Sequence, residues 1–406
     1  MLCFFFRGRP LGASRRTEAI LTAALAATLW IAGTAPVGVA AAGSRYSRRS
    51  TIVREGLVFT RIVDRQGPNR ISVLRIDPST SLTMDVALSN NELPGRETVR
   101  SMAARHEAVA AINGNFGNSW GRPLGLLAED GSLKTSPLSP GGAFAISRRE
   151  TASYIGRPDL SVTAENLDSG STWQVSNWND EYPGPNSISG YTNDGGARLR
   201  PPEDSCAVRL GAASALAWQA GKRGVARTYR VERVRCSRDP IYPGKGIVLA
   251  ADRGSRGARR LATASVGQRV RLGWTTGWAG VMDAMGGTPV LMKDGGVVIE
   301  PCSGYVCQRH PRTGVGITAS GDVLLVTVDG RQRESIGMTV VEFARLFKYL
   351  GATSALNLDG GGSSTMVLKG RVVNSPSDPS GERPVVSALL VLRRHDGGEP
   401  APVTPR

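Results

Sequence analysis

DVLLVTVD (322–329), TVVEFARLFKYLG (339–351) and SALNLDGGGSST (354–365) follow one another near the end of the chain, and their order decides the fold. The first and third contain short apolar runs that read as buried strands ending at Asp329 and Asp359. Between them Thr339 opens a helix with Glu342 three positions on, a capping box in which each side chain reaches the other's backbone N–H. Val340, Phe343, Phe347 and Leu350 fall on one face of that helix, and Gly351 stands where the chain must leave it. This strand–helix–strand order predicts two neighbouring parallel strands joined by a right-handed crossover. Both aspartates then emerge at the carboxyl end of the sheet, where open parallel sheets bind their ligands.

Glycine loses more backbone freedom on folding than any other residue, so three in a row ask for a reason. Gly360, Gly361 and Gly362 let the chain turn sharply after the strand and bring bare N–H groups against a ligand oxygen. Ser363, Ser364 and Thr365 add hydroxyl donors. The other reading is a tight turn feeding the hairpin TMVLKGRVVN.

More polar groups are expected in the same crevice. HPRTGVGI (310–317) offers His310, Arg312 and Thr313, and AINGNFGNSWGRPLG (111–125) offers Asn113 and Asn115. Asn357 precedes the acid, and PSDPSGERP (376–384) supplies Asp378 and Arg383. A planar guanidinium grips phosphate in a fixed fork, which makes Arg312 the expected phosphate contact, unless it pairs structurally with a carboxylate. The three histidines form no Ser-His-Asp set. No cofactor and no metal are implied.

Fifty glycines and twenty-four prolines in 406 residues indicate many turns. LVFTRIV and ISVLRID alternate as strands, 98–106 reads as a helix leading to a buried strand at 108–112, and LLAEDGSLK (126–134) and PVLMKDGGVVI (289–299) read as hairpins. The expected class is α+β: a mixed, strand-rich sheet with a strand–helix–strand unit near the C-terminus and several hairpins. Residues 151–240, with Trp173, Trp178 and EYPGPNSISGY, show no clear periodicity.

Residues 1–42 read as a signal peptide: arginines at 7, 9, 15 and 16, an apolar run over 19–33, and small residues at 40–42. An uncleaved anchor is the alternative; after cleavage no integral membrane span is expected. Residues 43–56 read as a flexible lead, 57–393 as the folded domain and 394–406 as a disordered tail. Export to the cell surface or medium suits the four remaining cysteines, expected to pair locally as Cys206–Cys236 and Cys302–Cys307. Cys302, Cys307 and His310 offer a zinc set as the other reading. The net charge of +16 comes mostly from scattered arginines rather than a clustered stripe, so nucleic acid is not the expected partner.

NLDGGGSSTMVLKGRVVNSPSD…GERPVVSALLV, with HPRTGVGI, LLVTVDGRQ, GMTVVEFARLF and AMGGTPVLMKDG upstream and AAINGNFG…GRPLGLLAEDGSL nearer the start, resembles the phosphodiester glycosidase family across 57–393, with 151–240 divergent. The resemblance implies hydrolysis of the bond between a sugar's anomeric carbon and a phosphodiester oxygen. It points to a sugar-phosphate polymer or another sugar phosphodiester as partner. On that reading Asp359 or Asp329 activates water, attacks as nucleophile or balances an oxocarbenium-like centre, and Arg312 with the glycine amides holds the phosphate. Asn113, Asn357 and Thr313 would position the sugar. The competing readings are a non-catalytic cell-wall carbohydrate-binding protein, using Trp173 and Trp178 for stacking, and a phosphodiesterase cutting P–O.

Overall fold

Every residue of strand Val323–Val328 is buried, as its unbroken apolar run requires. Leu324, Val326 and Val328 pack under the helix Val340–Tyr349, while Val323 and Leu325 enter a second core on the opposite face. The computed structural model describes residues 45–394 except 138–140, 149–151, 181–183, 197, 212, 219–223, 300–303 and 305–306. The segment 1–42 expected to be a signal peptide, and the expected tail from 395, lie outside the described residues. Among the described residues no helix is long and apolar enough to cross a membrane.

The central sheet has eight strands in the order Tyr46–Arg54, Leu57–Asp64, Asn69–Ile76, Val323–Val328, Arg312–Thr318, Ala352–Asn357, Val290–Lys293 and Gly296–Val297. The strands ending at Asp329 and Asp359 run parallel, but they are not neighbours. Arg312–Thr318 lies between them and is antiparallel to both. The crossover helix sits over this inserted strand, whose glycines make room for it. A Cβ at Gly314 would stand 2.8 Å from the Phe343 ring, and one at Gly316 2.7 Å from Phe347. Thr339 and Glu342 form the expected capping box, and Gly351 adopts φ 88° after the helix.

Residues 46–54 are not a flexible lead. They form the outermost strand, antiparallel to 57–64 over almost its whole length, with Gly56 in the turn. Its exposed residues are polar except Ile52, so hydrophobic patterning is weak and the backbone ladder carries the pairing. Arg45 also grips buried Asp64 at 2.7 Å.

The segment without legible periodicity supplies much of a nine-stranded, mostly antiparallel sheet, running from Ser161 to Thr275. Trp173 and Trp178 are 1% and 4% exposed in its core and present no stacking surface. Cys206 and Cys236 face each other across two of its strands and form the expected disulfide. Cys307 is also disulfide-bonded, which removes it from any zinc set; Cys302 lies outside the described residues. Hairpins form at 127–135 and 290–297 as expected. A smaller sheet places Ala110–Asn113 between Met366–Leu368 and Ser387–Arg393, which brings Asn113 to the turn after Asp359.

Candidate active site

Asp359 leaves its strand with its N–H on the carbonyl of Gly114 at 3.1 Å and its Oδ1 accepting from the Gly360 N–H at 2.9 Å. The residue as a whole is partly exposed. Burial among protein atoms pushes its pKa up to about 6, and hydrogen bonds from Ser363 and Gly360 with the charges of Arg383 and Arg96 pull it only part of the way back. Asp329, 5% exposed, holds the end of the other strand. Burial raises it too, against the Ser375 N–H at 2.9 Å and Asn374 Nδ2 at 3.1 Å on its Oδ1. Asn374 Nδ2 also donates to the carbonyl of Ser364 at 2.9 Å, so one amide ties Asp329 to the turn that follows Asp359.

The glycine turn works differently from its sequence reading. The Gly360 N–H serves the Asp359 carboxylate, that of Gly361 the Pro311 carbonyl at 2.9 Å, and those of Ser363 and Ser364 the carbonyls of Gly360 and Gly361. These amides are occupied within the protein. The glycines instead allow close approach: a Cβ at Gly360 would come within 2.8 Å of the Pro311 oxygen, and one at Gly362 would overlap Asp378 Oδ1 and the Arg383 guanidinium. Arg383 makes a two-pronged pair with Asp378, 2.7 and 2.9 Å, directly over this bare backbone. Arg331 lies over Gly361, within 3.1 Å of where a Cβ would be, and reaches His310 Nδ1 at 3.4 Å.

Arg312 is turned away from the expected role. It is 3% exposed, with Nε on the carbonyl of Met338 at 2.8 Å and Nη2 on that of Gln308 at 2.6 Å. Burial away from water lowers its pKa to about 10. Its neighbour Thr313 and Asn113 are fully buried. Asn113 Nδ2 donates to the Asp359 carbonyl at 2.7 Å, and its Oδ1 accepts from Thr313 Oγ1 at 2.8 Å and the Thr365 N–H at 3.0 Å. Asn113 therefore clamps the turn. Asn115 bonds Leu126 and Ser387 inside the protein. Asn357 Nδ2 donates to the Thr288 carbonyl at 2.7 Å, while its Oδ1 and the hydroxyls of Ser364 and Thr365 are buried without hydrogen-bond partners.

Arg331, Arg96, Asn374 and Ser375 were missed in the sequence. Arg331 had a usable signal, two positions after Asp329 at a strand end; Arg96 is remote in sequence and only folding brings it in. Among the described residues, the acids close enough to share a metal ion are Asp85, Asp130 and Asp283. They lie on other elements, and Arg148 pairs with all three at 2.7–3.3 Å, filling that position with a cation.

Residues 223–392 match the family model described as phosphodiester glycosidase. The prophage-derived uncharacterized protein YomE of Bacillus subtilis is 40% identical over 83 residues, 20% of this chain and 13% of that protein. The N-acetylglucosamine-1-phosphodiester alpha-N-acetylglucosaminidase of Mus musculus is 40% identical over 76 residues, 19% of this chain and 14% of its own. The chain thus matches only about a seventh of the length of these relatives. A hypothetical protein from Synechocystis shares the fold with a TM-score of 0.68 at 22% identity, over 85% of this chain and 63% of that one. Residues 223–392, which hold both aspartates, the glycine turn and Arg383, are thus the part of the chain that is similar to the phosphodiester glycosidase family.

Proposed function

We propose that the protein is an exported hydrolase that cleaves the bond between a sugar's anomeric carbon and a phosphodiester oxygen. The observation that carries this reading is the Asp359 carboxylate at the end of its strand, with its pKa of about 6, beside the cationic side chains of Arg383 and Arg331. Above about pH 6 Asp359 is ionised, as activating water, attacking the anomeric carbon or balancing an oxocarbenium-like centre all require. Asp329, the second carboxyl group of this end of the sheet, is also raised by burial, against the donors Ser375 and Asn374. A departing phosphate monoester has its second ionisation near pH ~6 and needs little help from an acid. Arg383 and Arg331 then hold the phosphate, the role first expected of Arg312. The buried, unpartnered Asn357 Oδ1 and the Ser364 and Thr365 hydroxyls are the adjoining polar groups left to bond sugar hydroxyls.

The family match and the named glycosidase among the relatives support this reaction class. The basic, apolar leader at 1–42 and the Cys206–Cys236 disulfide support work outside the cytoplasm. The non-catalytic reading loses its stacking surface, because Trp173 and Trp178 are core residues. Hydrolysis of a sugar phosphodiester in isotope-labelled water tests the reaction. Label in the sugar fits C–O cleavage, and label in the phosphate rejects it.

A further inference from the structure

Two arginines stand directly opposite each other on the outer strands of the central sheet: Arg49 on 46–54 is in register with Arg61 on 57–64. Like charges facing across a ladder are destabilising. Among the described residues neither has an ion pair, and Arg61 lies over the Phe59 ring at 5.5 Å from its centroid. The alternation of strand side chains places Ser47, Arg49, Arg61, Val63 and Arg70 on one face, since Val63 is in register with Arg70. All five are exposed. The row does not stop at random. The Asp329 N–H donates to the Arg70 carbonyl at 3.0 Å, so the third arginine borders the candidate active site.

Charges that merely block strand pairing belong on the outermost strand. Arg49 is there, but Arg61 and Arg70 stand on the second and third strands, where no edge needs protecting. A surface that keeps opposed cations without acids is explained if an anionic chain lies across them. We propose that this face, from Arg49 through Arg61 to Arg70, is a docking track for the phosphate-bearing chain of a polymeric substrate, leading its sugar–phosphate linkages to Asp359 and Asp329. This inference rests on the reaction proposed above and assigns it a polyanionic substrate, each phosphate on the track adding salt-sensitive affinity.

The test uses the full folded protein and two probes: an oligomer of phosphodiester-linked sugars and a single-linkage sugar phosphodiester. Arg49→Glu alone turns a like-charged cross-strand pair into an opposite-charged one, and together with Arg61→Ser it leaves Glu opposite Ser without the like-charge repulsion, so the fold should hold in both. Arg61→Ser removes the inner cation. The track predicts that the double variant binds the oligomer roughly tenfold or more weakly at low salt and with a shallower salt dependence. Turnover and KM on the single linkage should stay within about twofold of wild type, because neither residue touches the reacting groups. Unchanged oligomer affinity and salt dependence in a folded double variant overturn the track. So does an equal loss of KM on the single linkage, which would place the effect in the site itself. Weaker binding of a single-stranded oligonucleotide with unaltered binding of the sugar oligomer overturns it in favour of nucleic acid. If wild type cleaves neither probe, the proposed reaction fails, and the oligomer binding measurement still decides the track.

Discussion

Asn113 Nδ2 donates to the backbone carbonyl of Asp359 at 2.7 Å, joining residues 246 positions apart. The same amide accepts from Thr313 and Thr365, so a single buried side chain holds the end of one sheet, the inserted strand of another and the turn after the acid. Replacing Asn113 with Ala leaves a buried hydroxyl and a buried N–H without a partner, at about 1–3 kcal/mol each before relaxation. Asn113→Ala should therefore lower the denaturant midpoint and reduce kcat more than it raises KM. A variant that lost substrate affinity alone would return Asn113 to direct sugar contact.

The pH dependence follows from Asp359. Because its ionised form is the working one, kcat/KM should rise through about pH 6 and level off above it. Stability moves the other way. The folded pKa lies above the ordinary 3.8, so the folded protein holds the extra proton. Its contribution is fully present below 3.8 and is lost as pH rises through about 6. Above that pH the buried charge costs the fold roughly 2–3 kcal/mol. Chemical denaturation of Asp359→Asn across pH should show a gain over wild type that grows between about pH 3.8 and about 6 and is complete above it.

The phosphate subsite separates two arginines that look alike in the sequence. Arg383→Ala should raise KM for a sugar phosphodiester by roughly tenfold or more, since it removes a charged contact. Gly362→Ala should imitate it, because the new methyl displaces the Arg383–Asp378 pair. Arg312→Met should instead lower the thermal midpoint, by breaking the bonds to the Met338 and Gln308 carbonyls, with little direct effect on KM. Steady-state kinetics beside melting curves distinguish the two patterns.

Much of this architecture can be read from local pattern. The capping box at Thr339 and Glu342, the apolar runs into Asp329 and Asp359, the Asp-Gly hairpins and the Cys206–Cys236 pair all depend on residues close in sequence or on simple spacing. The inserted strand 312–318 was hidden because its pattern is interrupted by Gly314 and Gly316, which exist to seat Phe343 and Phe347 from elsewhere in the chain. The strand 46–54 was hidden because its stability comes from a backbone ladder and not from an apolar face. Arg312 misled for a third reason: residue type shows that a guanidinium can hold phosphate, but only the fold decides whether it meets a ligand or two carbonyls.

A charge network away from the candidate site makes an independent prediction. Arg148 pairs with buried Asp283 at 2.8 Å and with Asp85 at 3.3 Å, and burial raises both acids, Asp283 to about 6. Arg148→Met leaves these carboxylates uncompensated and should destabilise the protein by roughly 3–5 kcal/mol. The loss should be greatest above about pH 6 and shrink at lower pH as the acids take up protons. Urea titrations at two pH values check both size and sign.

The most direct test of the catalytic assignment is turnover of a sugar phosphodiester by Asp359→Asn, measured beside its melting temperature. The predicted result is a fall in kcat of roughly a thousandfold or more with the melting temperature equal to or above that of wild type at neutral pH. Near-normal turnover by the folded variant would contradict the assignment of the reaction to Asp359.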